Sequence, residues 1–296
     1  MQGVAIPISM VPGNSVLHRL NPLPKLALAI GVLIFSFATR NPALLGIVFA
    51  IGLMLVTIGK IWKAYLRVVM ILFPIYLTLI VLQSIAPAFP RPWTPIVGFG
   101  PFTIYQEGIY SGVSMLARIL CMTTYALIMI QTTHPSDLFT SLQKIGMPYV
   151  LNFILTVTLQ LLPIIQSEFA IVLSAQKSRG MKGTGFGAIL PSMVPVFVGA
   201  IERVQQLSIS LEARAFGSSG RKTSFRDVSM RVKDYIALVL SLVFPILLTT
   251  WVVLDKSLDW SRSMVFPPTL SIILVSSCAI GFVVYFIIAV SYVLRV

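Results

Sequence analysis

The sequence predicts an all-α protein: a polytopic membrane helix bundle carrying two long helices on its cytoplasmic face. Three observations carry this. Hydrophobic residues make up 57% of the 296 positions and charged residues only 10%, against about 25% charged in an ordinary soluble domain. Six apolar runs approach the length of a span, which takes about 20 residues of helix. The basic residues that give the net charge of +13 crowd into the segments between those runs, above all between Lys177 and Lys233.

Taken in order, the runs are 26–39, 43–59, 65–86, 108–131, 235–254 and 267–294. The first is short enough to be re-entrant. With the second it forms a helical hairpin across Arg40-Asn41-Pro42, returning the chain to the side it came from. It follows His18, Arg19 and Lys25 without a small-residue cleavage site, so it is expected to be a retained span rather than a signal peptide. Basic residues at Lys60, Lys63 and Arg67 place the start of the third run in the cytoplasm, together with the N-terminus. Residues 87–103 hold Pro87, Pro90, Pro92, Pro95, Gly98, Gly100 and Pro101 and read as an external loop. No strand is expected anywhere.

The stretch 132–234 differs. It contains moderately apolar segments at 149–165 and 188–200 and ten basic residues between Lys177 and Lys233. If both segments crossed the bilayer, Lys177, Arg179 and Lys182 would lie outside, against the positive-inside bias. If neither crosses fully, every dense basic cluster stays inside, and Asn152, Gln160, Pro163, Pro191 and Pro195 need not sit at membrane depth. The second topology is preferred. It gives two long helices, near 149–180 and 188–217, along the inner face. Leu151, Ile154, Leu155, Thr158, Leu162 and Ile165 repeat with helical period on the first. Ser136 is expected to cap a shorter helix before them, with Asp137 in its first turn. The organisation is then 1–131 with about four spans, 132–234 on the cytoplasmic side, and 235–296 with two further runs.

Each long helix ends on an arginine followed closely by glycine: Ser178-Arg179-Gly180, and Glu212-Ala213-Arg214-Ala215-Phe216-Gly217. Either alone is an ordinary helix end, with a cation near the carbonyl terminus and glycine accepting a left-handed conformation. As a pair, 35 positions apart (214 − 179), they offer two planar, permanently charged forks suited to carboxylates and carbonyls of two similar partners.

These segments resemble the transmembrane T component of energy-coupling factor (ECF) transporters, the EcfT/CbiQ family, whose coupling helices end in two Ala-Arg-Gly-like motifs. Arg179-Gly180 matches the first with Ser178 in place of Ala, and 212–217 matches the second with Ala215 in place of Gly. Ser15 to Pro22 with Lys25-Leu26, Thr132-Thr133-His134-Pro135, and Arg221 to Tyr235 are similar to other stretches of the family, so the likeness covers roughly 15–255. The run 267–294 lies beyond it and reads as an added span. The resemblance implies a scaffold between two ABC-type ATPases and a substrate-binding membrane subunit, in the cell membrane of a prokaryote. Arg179 and Arg214 would dock the ATPases, Gly180 and Gly217 would shape the turns, and Ser178, Glu212, Ala213 and Ala215 would support them. The cargo, a vitamin or a transition-metal ion, would be chosen by the substrate subunit.

Other residues point away from catalysis. Arg118 lies inside the fourth run, where charge is costly, and is expected to pair structurally. Glu107 is expected to be solvated at that run's edge. Gly180, Gly183, Gly185 and Gly187 suggest a hinge, since no Gly-x-x-x-x-Gly-Lys-Ser/Thr sequence occurs and ATP hydrolysis must belong to another chain. Glu168, Glu202 and Glu212 are expected to pair with Arg203, Arg214 or Lys177. Cys121, Cys278, His18 and His134 form no metal-ligand spacing, so neither metal nor cofactor is implied. The basic residues interleave with apolar runs rather than lining a soluble face, which argues against nucleic acid. A secondary transporter would require two related halves meeting at broken helices. A membrane-bound enzyme would require clustered Asp, Glu or His. No such internal repeat is visible for the first, and nine acidic residues spread over the chain supply little for the second.

Overall fold

A computed structural model describes residues 13, 15–87, 94–99, 102–180, 186–218, 220 and 230–255. In chain order the elements are α1 (Val16–Arg19), α2 (Pro22–Ala38), α3 (Pro42–Gly59), α4 (Trp62–Ile85), β1 (Pro95–Phe99), β2 (Phe102–Tyr105), α5 (Gln106–Thr132), α6 (Pro135–Ile145), α7 (Tyr149–Ser178), α8 (Phe186–Ala213) and α9 (Val232–Leu254). The expected sixth run, 267–294, lies outside the described residues. The chain divides into two compact units, 1–134 with 229–296, and 135–228.

In the first unit α5 is the central helix, packed against α2, α3 and α4, and α9 lies against α2. Its core joins Val32 and Phe35 of α2, Leu45 and Val48 of α3, Cys121 and Tyr125 of α5, and Val252 of α9. A second cluster gathers Val56, Ile61, Tyr65, Leu127 and Ile128, with Leu17 against it. Outward faces remain apolar: Ile34, Phe37, Met54, Met70 and Leu247 are all more than half exposed. In water this would be a liability; in hydrocarbon it is what a span presents. Among the described residues five helices, α3, α4, α5, α7 and α9, are by length and composition apolar enough to cross a membrane, and α2 is a shorter apolar helix.

The helices begin where local chemistry tells them to. Asn21 and Asn41 each accept a hydrogen bond from the backbone N–H two residues on, at 3.1 and 2.9 Å. Each is followed by proline at the first helical position, where a missing N–H costs nothing. This device starts α2 at Pro22, four residues before the expected position, and puts Lys25 inside the helix. α4 and α5 meet at Gly108, where a Cβ would lie 2.4 Å from the Gln83 carbonyl oxygen of α4. Gly112, one turn on, faces Ile80, so a small-xxx-small stripe brings the two backbones together.

Three expectations are corrected. The segment read as an external loop without strands contains a two-stranded antiparallel hairpin, with Pro95 opposite Tyr105 and Phe99 opposite Phe102. β1 holds Ile96 and Val97 and β2 holds Thr103 and Ile104, residue types that favour strands. Glu107 is buried at 3% exposure rather than solvated. Its carboxylate accepts from the Thr94 N–H at 2.9 Å and the Thr94 hydroxyl at 2.8 Å, fastening the hairpin to the start of α5. Finally, α6 begins at Pro135, so Ser136 lies inside the first turn instead of capping it.

Candidate functional site

In the second unit α7 and α8 form an antiparallel pair. Phe216, just beyond α8, packs against Phe153 and Tyr149 at the start of α7, with ring centroids 4.5 and 5.8 Å away. Midway, Arg203 of α8 makes an ion pair with Glu168 of α7. The ends of the pair therefore carry one arginine each: Arg179 where α7 stops and Arg214 where α8 stops. Each is eleven residues past the ion pair (179 − 168 and 214 − 203), or about 16 Å along the helix.

Both helix ends are closed by backbone geometry. At α7, Arg179 is the cap residue and its N–H bonds to Ala175 O at 3.1 Å. The Gly180 N–H reaches Lys177 O at 3.1 Å, with Gly180 at φ +88°. At α8, the Ala215 N–H bonds to Glu212 O and the Phe216 N–H to Leu211 O, both at 2.9 Å. This is a Schellman closure with Arg214 as cap and Ala215 in the left-handed position. Ala215 adopts φ +55° although it bears a Cβ, and Gly217 follows at φ +92°. The pattern Arg-Ala-Phe-Gly thus puts the first left-handed residue two positions earlier than the glycine suggests. The aromatic contact of Phe216 holds it there.

All eight candidate positions, Ser178, Arg179, Gly180, Glu212, Ala213, Arg214, Ala215 and Gly217, are exposed. Ser178 donates its hydroxyl to Ser174 O at 3.1 Å, one turn back. The arginines stand at the negative ends of their helices, where a cation is favoured. Among the described residues, a Cβ placed at Gly180 or Gly217 would meet nothing within 4 Å. What the arrangement can do is bind two acidic or carbonyl-rich surfaces on the order of 30 Å apart. The stripe of Leu151, Ile154 and Leu162 is about half exposed, as are Val194, Phe197 and Ile201 of α8. These helices therefore carry an apolar surface as well as cationic tips. Of the pairings expected for the acidic residues, Glu168 with Arg203 is formed; Glu202 and Glu212 are exposed. The glycine-rich connector at 181–185 lies outside the described residues.

Arg118 pairs structurally, as expected. Its Nη2 donates to the Thr39 carbonyl at 2.8 Å, and its guanidinium lies over the Phe37 ring at 5.9 Å. Thr39 is the C-cap of α2 and fully buried, so the charge closes the carbonyl end of that helix from the middle of α5.

The sequence reading did not anticipate a buried polar cluster at the other end of α5. Lys25 Nζ donates to Thr132 O at 3.0 Å and Thr133 Oγ1 at 3.3 Å. Asp234 accepts from the Asn21 N–H at 3.0 Å and the Arg231 N–H at 2.9 Å. The available signal was a lone acid, Asp234, opening an apolar run behind several basic residues. Among the described residues no three His, Cys, Asp or Glu side chains converge to hold a metal.

Comparison with known proteins follows the same lines. Residues 13–225 match the CbiQ family profile, described as cobalt transport protein. The chain is 29% identical to the energy-coupling factor transporter transmembrane protein EcfT of Listeria innocua, covering 86% of this chain and 96% of that one. It is 27% identical to the protein of the same name from Staphylococcus aureus, over 80% of this chain and 93% of that one. A putative ABC transporter ATP-binding protein of Bifidobacterium longum is 26% identical over 76% of this chain, yet the match takes in only 30% of that protein.

Proposed function

This chain belongs to the CbiQ family of transport proteins, and from that premise we propose that Arg179 and Arg214 are the handles by which two ABC-type ATPases move it. The chain is a multi-pass membrane protein and the transmembrane energy-coupling component of an ECF transporter. ATP is hydrolysed on the partner subunits. Closure of the two ATPases displaces the helix ends they hold. α7 and α8 carry that displacement to a substrate-binding membrane subunit, which takes up a vitamin or a transition-metal ion.

The observation that carries this reading is the placement of the two exposed cationic helix ends at equal distances from the Glu168–Arg203 ion pair. Two equivalent motors need two equivalent grips, and a rigid antiparallel pair supplies them. Ser178, Gly180, Glu212, Ala213, Ala215 and Gly217 set the turns that hold the guanidinium groups clear of the helices. The Bifidobacterium relative supports the ATPase partnership, because a stretch similar to this chain occupies less than a third of a protein named for ATP binding. The exposed apolar faces of α7 and α8 suit the bilayer and the substrate subunit. Leu17, Ile61 and Tyr65 pack together with the ends of α3 and α5, and His18, Arg19, Lys60 and Lys63 adjoin them in sequence. This end is cytoplasmic by the positive-inside bias, with the N-terminus on the same side.

The test is charge reversal. Arg179→Glu and Arg214→Glu, singly and together, should leave membrane insertion intact, reduce recovery of ATPase subunits with the tagged chain, and abolish uptake. Normal ATPase recovery and uptake in the double variant would end the docking reading.

A further inference from the structure

The chain passes between its two units twice, outward after Thr133-His134 and back before Arg231. Both passages are fastened, within the first unit, to a single turn of helix. Lys25, in the fifth position after the Asn21 cap counted inclusively, holds the end of α5 through Thr132 O and Thr133 Oγ1. Asn21 holds the start of α9 through Asp234 Oδ1, while Asp234 Oδ2 closes the α9 cap at the Arg231 N–H. All five groups are withdrawn from solvent: Asn21 is 4% exposed, Lys25 7%, Thr132 1%, Thr133 6% and Asp234 6%.

A buried ammonium is costly unless its protons are satisfied, and an apolar side chain would pack against α5 without that cost. A lysine here gains a directional grip on the carbonyl end of α5, where a cation is favoured. A helix end needs only one such cap for stability. That the same turn also grips the other passage calls for a further reason. Force transmitted along a chain is lost in any slack connector. Two connectors tied to one rigid turn deliver a pull on either to the same point, the start of α2. That helix in turn packs on both α5 and α9.

We infer that the Asn21–Lys25 turn is a mechanical clamp, with Lys25 and Asp234 as positioning residues that hold both passages of the chain to the 135–228 unit at one point of the first unit during coupling. The clamp rests on the energy-coupling reading, but it acts after the ATPases have docked and makes no use of Arg179 or Arg214.

The experiment uses the complete transporter with its ATPase and substrate subunits, reconstituted in vesicles. Three variants are compared with the parent: Lys25→Met, which keeps the length and apolar stem; Lys25→Arg, which keeps the charge and donors; and Asp234→Asn, which removes one of the two acceptor roles. Three quantities are read: ATPase subunits recovered per T subunit, ATP hydrolysed, and cargo taken up per ATP. The clamp predicts unchanged recovery and near-parental hydrolysis for Lys25→Met and Asp234→Asn, with cargo per ATP falling about tenfold, a typical magnitude for coupling between sites. Lys25→Arg should restore most of that ratio. If uptake falls only in proportion to the amount of assembled complex, the cluster is a folding feature and the clamp is wrong. An unchanged ratio of cargo to ATP in both variants overturns it equally. Loss of ATPase recovery in Lys25→Met would also overturn it, by placing the cluster in docking. Failure of the docking reading is scored separately, by the charge reversals.

Discussion

Glu168 and Arg203 form their ion pair at matched steps of two helices, each eleven residues before the arginine at which its helix ends. The offset between the paired residues (203 − 168) equals the offset between the two arginines (214 − 179), so the contact lies on the local two-fold relation between the tips. A contact there fixes where the helices cross without favouring either end. With the Arg203 and Glu168 side chains 37% and 28% exposed, respectively, the pair contributes at most about 1 kcal/mol in a watery setting, and its main consequence is register.

Glu168→Arg should therefore lower the thermal midpoint of the detergent-solubilised protein and reduce uptake, because two cations would face each other across the crossing. Arg203→Glu should do the same. The exchanged pair, Glu168→Arg with Arg203→Glu, should recover most of both losses. Additive losses in the exchanged protein would show that the residues act independently.

Ala215 gives a second prediction. It holds a left-handed conformation, φ +55°, that costs a residue with a Cβ roughly 1 kcal/mol relative to glycine. Ala215→Gly should stabilise the end of α8 by a few tenths to about 1 kcal/mol, less whatever the unfolded chain gains in freedom. Gly217→Ala, at φ +92°, should destabilise by a similar or larger amount. Hydrogen exchange at the amides of Ala215 and Phe216, both bonded into α8 at 2.9 Å, reads the first effect directly. Slower exchange is expected in Ala215→Gly, and faster exchange would contradict the closure described.

Periodicity and length were enough to find the long helices of the first unit. The runs expected at 43–59, 65–86, 108–131 and 235–254 correspond to α3, α4, α5 and α9 with ends shifted by three residues or fewer. Those shifts come from caps: Asn41-Pro42 at α3, and Asp234 reaching back to the Arg231 N–H at α9. The strand hairpin was hidden because its prolines and glycines read as a loop, although Ile96-Val97 and Thr103-Ile104 carried strand character. At the candidate site, the arginines and glycines announced themselves as helix ends, and Glu168–Arg203 was among the pairings expected from opposite charges on neighbouring helices. The Lys25 and Asp234 contacts join residues more than a hundred positions apart. No local period encodes such a contact; only the packing of α2 against α5 and α9 brings those groups together.

Arg118 decides between two uses of a charge at membrane depth, and its partner makes the outcome predictable. Its guanidinium donates to the Thr39 carbonyl at 2.8 Å and covers Phe37, so it closes α2 in a place with little water to do so. Removing one charged partner from such a bond costs about 1.5–3 kcal/mol, and the orphaned carbonyl adds to it. Arg118→Met keeps the stem and should lower the thermal midpoint and the yield of folded protein. Arg118→Lys, which retains a donor but not the planar fork, should fall between that variant and the parent. If the charge served passage of cargo, the folded fraction of Arg118→Met would transport poorly for each ATP hydrolysed. A helix-closing role predicts instead that the fraction which folds couples uptake to ATP as the parent does, with only its abundance reduced.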